Sequence, residues 1–242
     1  MSIEPLAQRN KLIQIMVVVI FLGILLVLTV PMNAHAQSIE ERARLTKSAL
    51  RAQFRSGDPA ELDQRIEASL SKLEADELRR PNEDIFVIAV IKNGVSPAQL
   101  LQILDQYDLE LGYTELKIAG GTDEPDTTIS IGIQYIMASE GTLLERLENA
   151  IEIFRLNYVP SPPVAPNKIP NKNRPALIYT AGIIGPSENA ARLARDGRIV
   201  AIKRHPRVGA AAEFEKLKKI FEALPIDQRI PGYLKRGNGN KR

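Results

Sequence analysis

Ile85-Phe86-Val87-Ile88-Ala89-Val90-Ile91, then Lys92-Asn93-Gly94, then Val95-Ser96-Pro97-Ala98-Gln99-Leu100: this stretch decides how the chain folds. An unbroken apolar run of this length reads as a strand buried on both faces. Lys92-Asn93-Gly94 turns it. Ser96 with Gln99 three residues on, and proline in the first turn, is a capping box that opens a helix on Leu100, Leu101, Leu104 and Tyr107.

Downstream, Leu109 to Ile118 reads as a second strand, with Gly112 where the apolar phase slips, the mark of a bulge. Residues 119–126 (Ala-Gly-Gly-Thr-Asp-Glu-Pro-Asp) form an acidic loop. Asp123, Glu124 and Asp126 lack the regular ligand spacing of a calcium loop, so a solvated turn is expected. Ile129, Ile131, Ile133, Tyr135 and Met137 alternate with small or polar residues, predicting a strand that pairs with 109–118 as a hairpin. Thr142 and Glu145 make a further capping box before a helix on Leu143, Leu147, Ala150, Ile151 and Phe154. Prolines at 160, 162, 163, 166, 170 and 175 make 159–175 an extended linker or surface strap. A strand over Ala176–Ile184, a short helix from Ser187 to Arg195 and a strand over Arg198–Ile202 follow. An amphipathic helix on Phe214, Leu217, Phe221 and Leu224 closes the ordered part. Residues 225–242 are expected to form a basic flexible tail.

Upstream, two helices are expected within 37–80, as a stalk or docked on the main domain. Asp58 caps the second, with Pro59 at its first position and Leu62, Ile66, Leu70 and Leu73 on one face. The first has a weaker stripe of Ile39, Ala43, Leu50 and Phe54. Before them, Leu12 to Val30 carries no charged residue and is long enough to span a bilayer core of about 30 Å. Arg9 and Lys11 precede it and Ala34-His35-Ala36 follows, the small-residue pattern of a cleavage site. Residues 1–36 therefore read as a signal peptide or a retained anchor. Either way the remainder lies outside the cytoplasm, periplasmic or secreted, with membrane contact through residues 12–30 if the leader is uncleaved.

Taken together, residues 81–224 predict an α+β domain, with helices on one face of a mostly antiparallel sheet. A ferredoxin-like β-α-β-β-α-β core fits this order of elements. Phe86 to Leu100 and Gly182 to Ile202 resemble the opening and closing halves of the propeptide, or inhibitor, domain of subtilisin-like proteases. The resemblance implies the same ferredoxin-like fold. It also implies a chaperone or inhibitor role, in which residues after the last strand enter the protease active site.

Chemistry is sparse. Cysteine is absent, and beyond the leader His205 stands alone in Lys203-Arg204-His205-Pro206-Arg207, which excludes zinc sites built on histidine and cysteine. There is no nucleophile elbow, glycine-rich phosphate loop or dinucleotide fingerprint, and Gly120-Gly121 is followed by acids. The Glu83-Asp84 pair and Glu145, Glu148 and Glu152 at helical spacing read as solvated carboxylates. No catalytic residue, cofactor or metal is implied.

Charge is the stronger signal. Residues 37–191 carry 16 basic and 23 acidic groups, against 14 and 5 in residues 192–242. That asymmetry points to an acidic partner surface or an anionic envelope surface. Arg198, Lys203, Arg204, Arg207, Lys216, Lys218 and Lys219 are the candidate contact residues. The expectation is a non-catalytic exported scaffold or accessory subunit with an envelope or membrane protein partner and no nucleic acid, the alternative being a protease inhibitor or folding chaperone.

Overall fold

The structure, a computed structural model, describes residues 38–118, 127–157, 177–207 and 209–229. The expected leader, acidic loop and proline-rich strap fall in residues 1–37, 119–126 and 158–176, which with residues 208 and 230–242 lie outside them. The chain divides into two units, Met1–Ala36 and Gln37–Arg242, and every described residue belongs to the second. Among the described residues no helix is long and apolar enough to cross a membrane.

The unit is α+β. Its elements are α1 (Ile39–Phe54), α2 (Pro59–Arg79), β1 (Asp84–Val95), α3 (Pro97–Gln106), β2 (Glu110–Ile118), β3 (Thr127–Gly132), α4 (Ile133–Ile136) and α5 (Leu143–Asn157). There follow β4 (Leu177–Pro186), α6 (Ser187–Ala194), β5 (Ile199–Arg204), α7 (Ala210–Ala223) and α8 (Ile226–Arg229). The five strands form one antiparallel sheet in the order β3-β2-β4-β1-β5, which is compatible with a ferredoxin-like core.

Local chemistry sets the boundaries. Ser96 accepts from the Gln99 N–H while the Gln99 side chain accepts from the Ser96 N–H, so both halves of the α3 box form. Thr142 and Glu145 do the same before α5. Asp58 caps α2 by accepting from the Ala60 N–H at 3.0 Å. The register of β2 against β4 slips between Leu111 and Tyr113, which places the bulge at Gly112. A Cβ on Gly112 would meet the Gly182 carbonyl oxygen at 3.1 Å.

Facing residues of paired strands point to the same side, so register assigns the two faces. Val87, Ala89, Ile91, Leu116, Ile131, Ile183 and Ile202 pack in one cluster with α3, α5 and α6. On the opposite face Val90, Tyr179 and Ala201 pack with Leu45, Ala49, Leu50 and Phe54 of α1. Helices therefore cover both faces, not one as the sequence had suggested. The reason lies in β1 itself: an apolar strand flanked by β4 and β5 exposes two faces to water until each is covered.

Accordingly α1 docks. Its Arg42 guanidinium donates to the Asn93 and Gly94 carbonyls at 2.6 and 2.9 Å, and the Asn93 N–H donates to the Thr46 hydroxyl at 2.9 Å. Where the sequence suggested a turn, β1 instead runs on to Val95 through a bulge, with its register shifted between Val90 and Val95 and with Asn93 and Gly94 both at positive φ, 60° and 63°. α2 lies along the outer side of β5, where the Ser69 hydroxyl donates to the Ile202 carbonyl at 3.0 Å.

Three further expectations are corrected. The strand from Ile129 ends at Gly132, and Ile133–Ile136 is a helical turn. Ile133, Ile136 and Met137 also fit a three-and-four spacing, and it is this helical spacing that buries them. In α7 Phe214 is buried and Phe221 packs against the core, but Leu217 is 48 % exposed. Residues 226–229 form a helical turn in place of flexible tail, held by Arg229, which donates to the Leu224 and Glu222 carbonyls.

Candidate functional site

The seven cations singled out from charge do not form one surface. Arg198 folds back on Asp196 at 2.5 Å and reaches the Gln106 side chain at 2.7 Å. Tyr107 donates to the same Asp196 carboxylate at 2.8 Å. Arg198 and these other bonds hold the Asp196 carboxyl well below the usual carboxylate range. This knot closes the Asp196-Gly197 turn between α6 and β5 and leaves Arg198 committed to it. Arg207 pairs with Glu213 at 3.0 Å, and Lys218 with Glu110.

Lys216 and Lys219 remain, both exposed on α7, with no carboxylate partner among the described residues. The helix sits where its sequence puts it. Ala210, Ala211 and Phe214 face inward, with the Phe214 ring 6.2 Å from Phe86. Phe86 in turn stacks on His205 at 4.9 Å and an interplanar angle of 11°. The His205 Nδ1 accepts the Arg207 N–H at 3.3 Å, so the lone histidine serves as a post in the turn leading to α7. On the outer side Leu217 and Ile220 are 48 % and 47 % exposed. An apolar stripe flanked by lysines is thus turned to solvent.

Lys203 and Arg204 belong to a second feature. α1 ends at Phe54, and Arg55 takes the left-handed conformation (φ 52°, ψ 40°) that reverses the chain toward α2. Between this corner, α2 and the end of β5 lies an open groove of about 480 Å³. Arg55, Arg65, Lys72, Lys203 and Arg204 line it, and among the described residues no carboxylate does. Phe54, Ala68 and Pro206 supply its apolar wall. Arg204 is tied to Asp76 at 2.7 Å and Glu83 at 3.5 Å, and Arg65 to Glu61 at 2.6 Å. The Lys203 ammonium donates to the Gln53 carbonyl and lies 5.5 Å from the Phe54 ring centroid. Burial pushes its pKa below the ordinary lysine value, and the Arg55 charge adds to that.

Charge counting found Lys203 and Arg204 but missed Arg55, Arg65 and Lys72, which lie in the acidic part of the chain. Helical phase carried a signal: Arg65, Ala68, Ser69 and Lys72 recur at three and four residues, one face of α2. Two of the carboxylates named from sequence have structural roles. Glu145 caps α5, and Glu83 pairs with Arg80 and Arg204. Among the described residues no group of three or more histidines and acids could hold a metal ion. Compared with protein-family models, with curated proteins and with solved structures, the chain finds no match.

Proposed function

We propose that this chain is an exported, non-catalytic binding protein, a scaffold or accessory subunit that seats an envelope protein partner on the outer stripe of α7. It is membrane-tethered if residues 12–30 are retained. The observation that carries the reading is the exposure of Leu217 and Ile220 beside Lys216 and Lys219, on a helix whose other side is anchored by Phe214. A desolvated apolar centre with a charged rim is the anatomy of a protein interface, and the lysines favour an acidic partner.

The strand order supports a ferredoxin-like reading of the fold. The path β1-α3-β2-β4-α6-β5 gives the order β5-β1-β4-β2, with β3 as an added fifth strand beside β2. The same order agrees with the propeptide-domain resemblance. An inhibitor of that kind, however, needs a free segment after its last strand. Here the chain turns at His205 and enters α7. The docking reading is therefore preferred.

A photo-crosslinking residue at position 217, introduced into the full chain in native membranes, tests it. One reproducible partner is expected, absent when the probe stands at position 78, where Leu78 is exposed on α2. The partner should be lost in a Leu217→Asp/Ile220→Asp variant with an unchanged melting temperature. Equal capture from position 78, or none from 217, sinks the proposal. Capture of a subtilisin-like protease would favour the inhibitor reading instead.

A further inference from the structure

The groove between α1, α2 and β5 holds more positive charge than the described carboxylates neutralise. Two of its five cations are satisfied by carboxylates: Arg65 by Glu61, and Arg204 by Asp76 and Glu83. Arg55 and Lys72 have no carboxylate partner among the described residues. Lys203 donates to a neutral carbonyl and makes no ion pair among the described residues; Glu115 acts on it only as the smallest of the influences, through space, and accepts from the Gln53 amide at 2.9 Å. Three like charges therefore share one concave wall, and one of them is half-buried.

Gathering like charges with partial loss of water is unfavourable unless a counter-charge arrives. The geometry narrows what that counter-charge can be. A single carboxylate brings one charge and two oxygens to three cations. A phosphate monoester or diphosphate brings about two or more charges and at least three peripheral oxygens. The groove is also larger than a bare phosphate requires, and Phe54, Ala68 and Pro206 give the remainder an apolar wall. We propose that this groove is a binding site for a phosphate-bearing organic ligand, its phosphate held among Arg55, Lys72 and Lys203. The inference does not rest on the α7 docking surface, which involves none of these residues.

The test is isothermal titration of the full chain, in non-ionic detergent, with inorganic pyrophosphate and with citrate at matched ionic strength. Saturable pyrophosphate binding is expected, and citrate should bind at least tenfold more weakly. Arg55→Asn and Lys72→Ala should each weaken pyrophosphate about tenfold, since each removes a charge-assisted donor. Asparagine tolerates the left-handed backbone at 55, and alanine suits the helix at 72, so neither variant should disturb folding. Lys47→Ala, on the exposed side of α1 and outside the groove, should change nothing. Competition by glycerol 3-phosphate marks a soluble ligand, and competition by phosphatidic acid in the micelles without it marks a lipid headgroup. Absence of saturable pyrophosphate binding, citrate binding as tightly, or affinity untouched in both groove variants would overturn the site.

Discussion

The two faces of the sheet are built on opposite terms. The face under α3, α5 and α6 is apolar along nearly every strand, with Ile131, Thr114, Ala181, Ala89 and Ile202 in one row across the sheet, and Thr114 is its polar exception. The other face is a patchwork. α1 covers Val90, Tyr179 and Ala201 at one end, and α7 reaches Phe86 and Glu110 at the other. Between them the strands present Gly182, Thr180, Glu115 and Lys203, and the cationic groove opens at that side. A uniform face can do little besides hold the molecule together. A mixed one is harder to pack and leaves places for other molecules to sit.

Substitutions can break or sharpen this contrast. The largest effect is expected on the apolar face: Ile131→Ala, at a fully buried position, should cost about 3 kcal/mol in denaturant unfolding. A loss below about 1 kcal/mol would mean that this face is not the main core. On the mixed face the tolerance runs the other way, against added volume. A Cβ on Gly182 would lie 2.2 Å from the Tyr113 ring and 2.8 Å from Phe86. Gly182→Ala should therefore cost about 2 kcal/mol, with part restored when Tyr113→Leu is added. Strict additivity of the two changes would show that the ring does not press on this backbone. The smallest effect should be a gain. The Thr114 hydroxyl is fully buried with no hydrogen-bond partner among the described residues, so Thr114→Val should stabilise by about 1 kcal/mol. A destabilisation of that size would indicate a polar partner for the hydroxyl.

Much of the fold could be read from sequence because it rests on short-range chemistry. The boxes at Ser96 and Thr142, the cap at Asp58 and the bulge at Gly112 each need only a few neighbouring residues to declare themselves. What escaped depends on distance. The buried stripe of α1 is Leu45, Ala49, Leu50 and Phe54, whereas Ile39, the strongest apolar residue of the expected stripe, is 80 % exposed. Polar Thr46 packs there because the bulge at Asn93 receives it, and nothing within α1 announces that bulge. A further bulge, at Tyr179 in β4, turns that ring over Gly94 and left no trace in the apolar pattern. The site was harder still. Arg204 looks like any surface cation until Asp76, 128 residues earlier, is seen to claim it, and Arg55 looks like any helix end until the groove closes around it.

The contact between Ser69 and the Ile202 carbonyl has a consequence beyond local packing. A sheet that ends in bare backbone invites another chain to extend it. By lying along β5, α2 removes the template on that side. Copies of this protein brought close together are thereby kept from zipping into fibrous assemblies through that edge, so high local abundance need not carry the penalty of aggregation there.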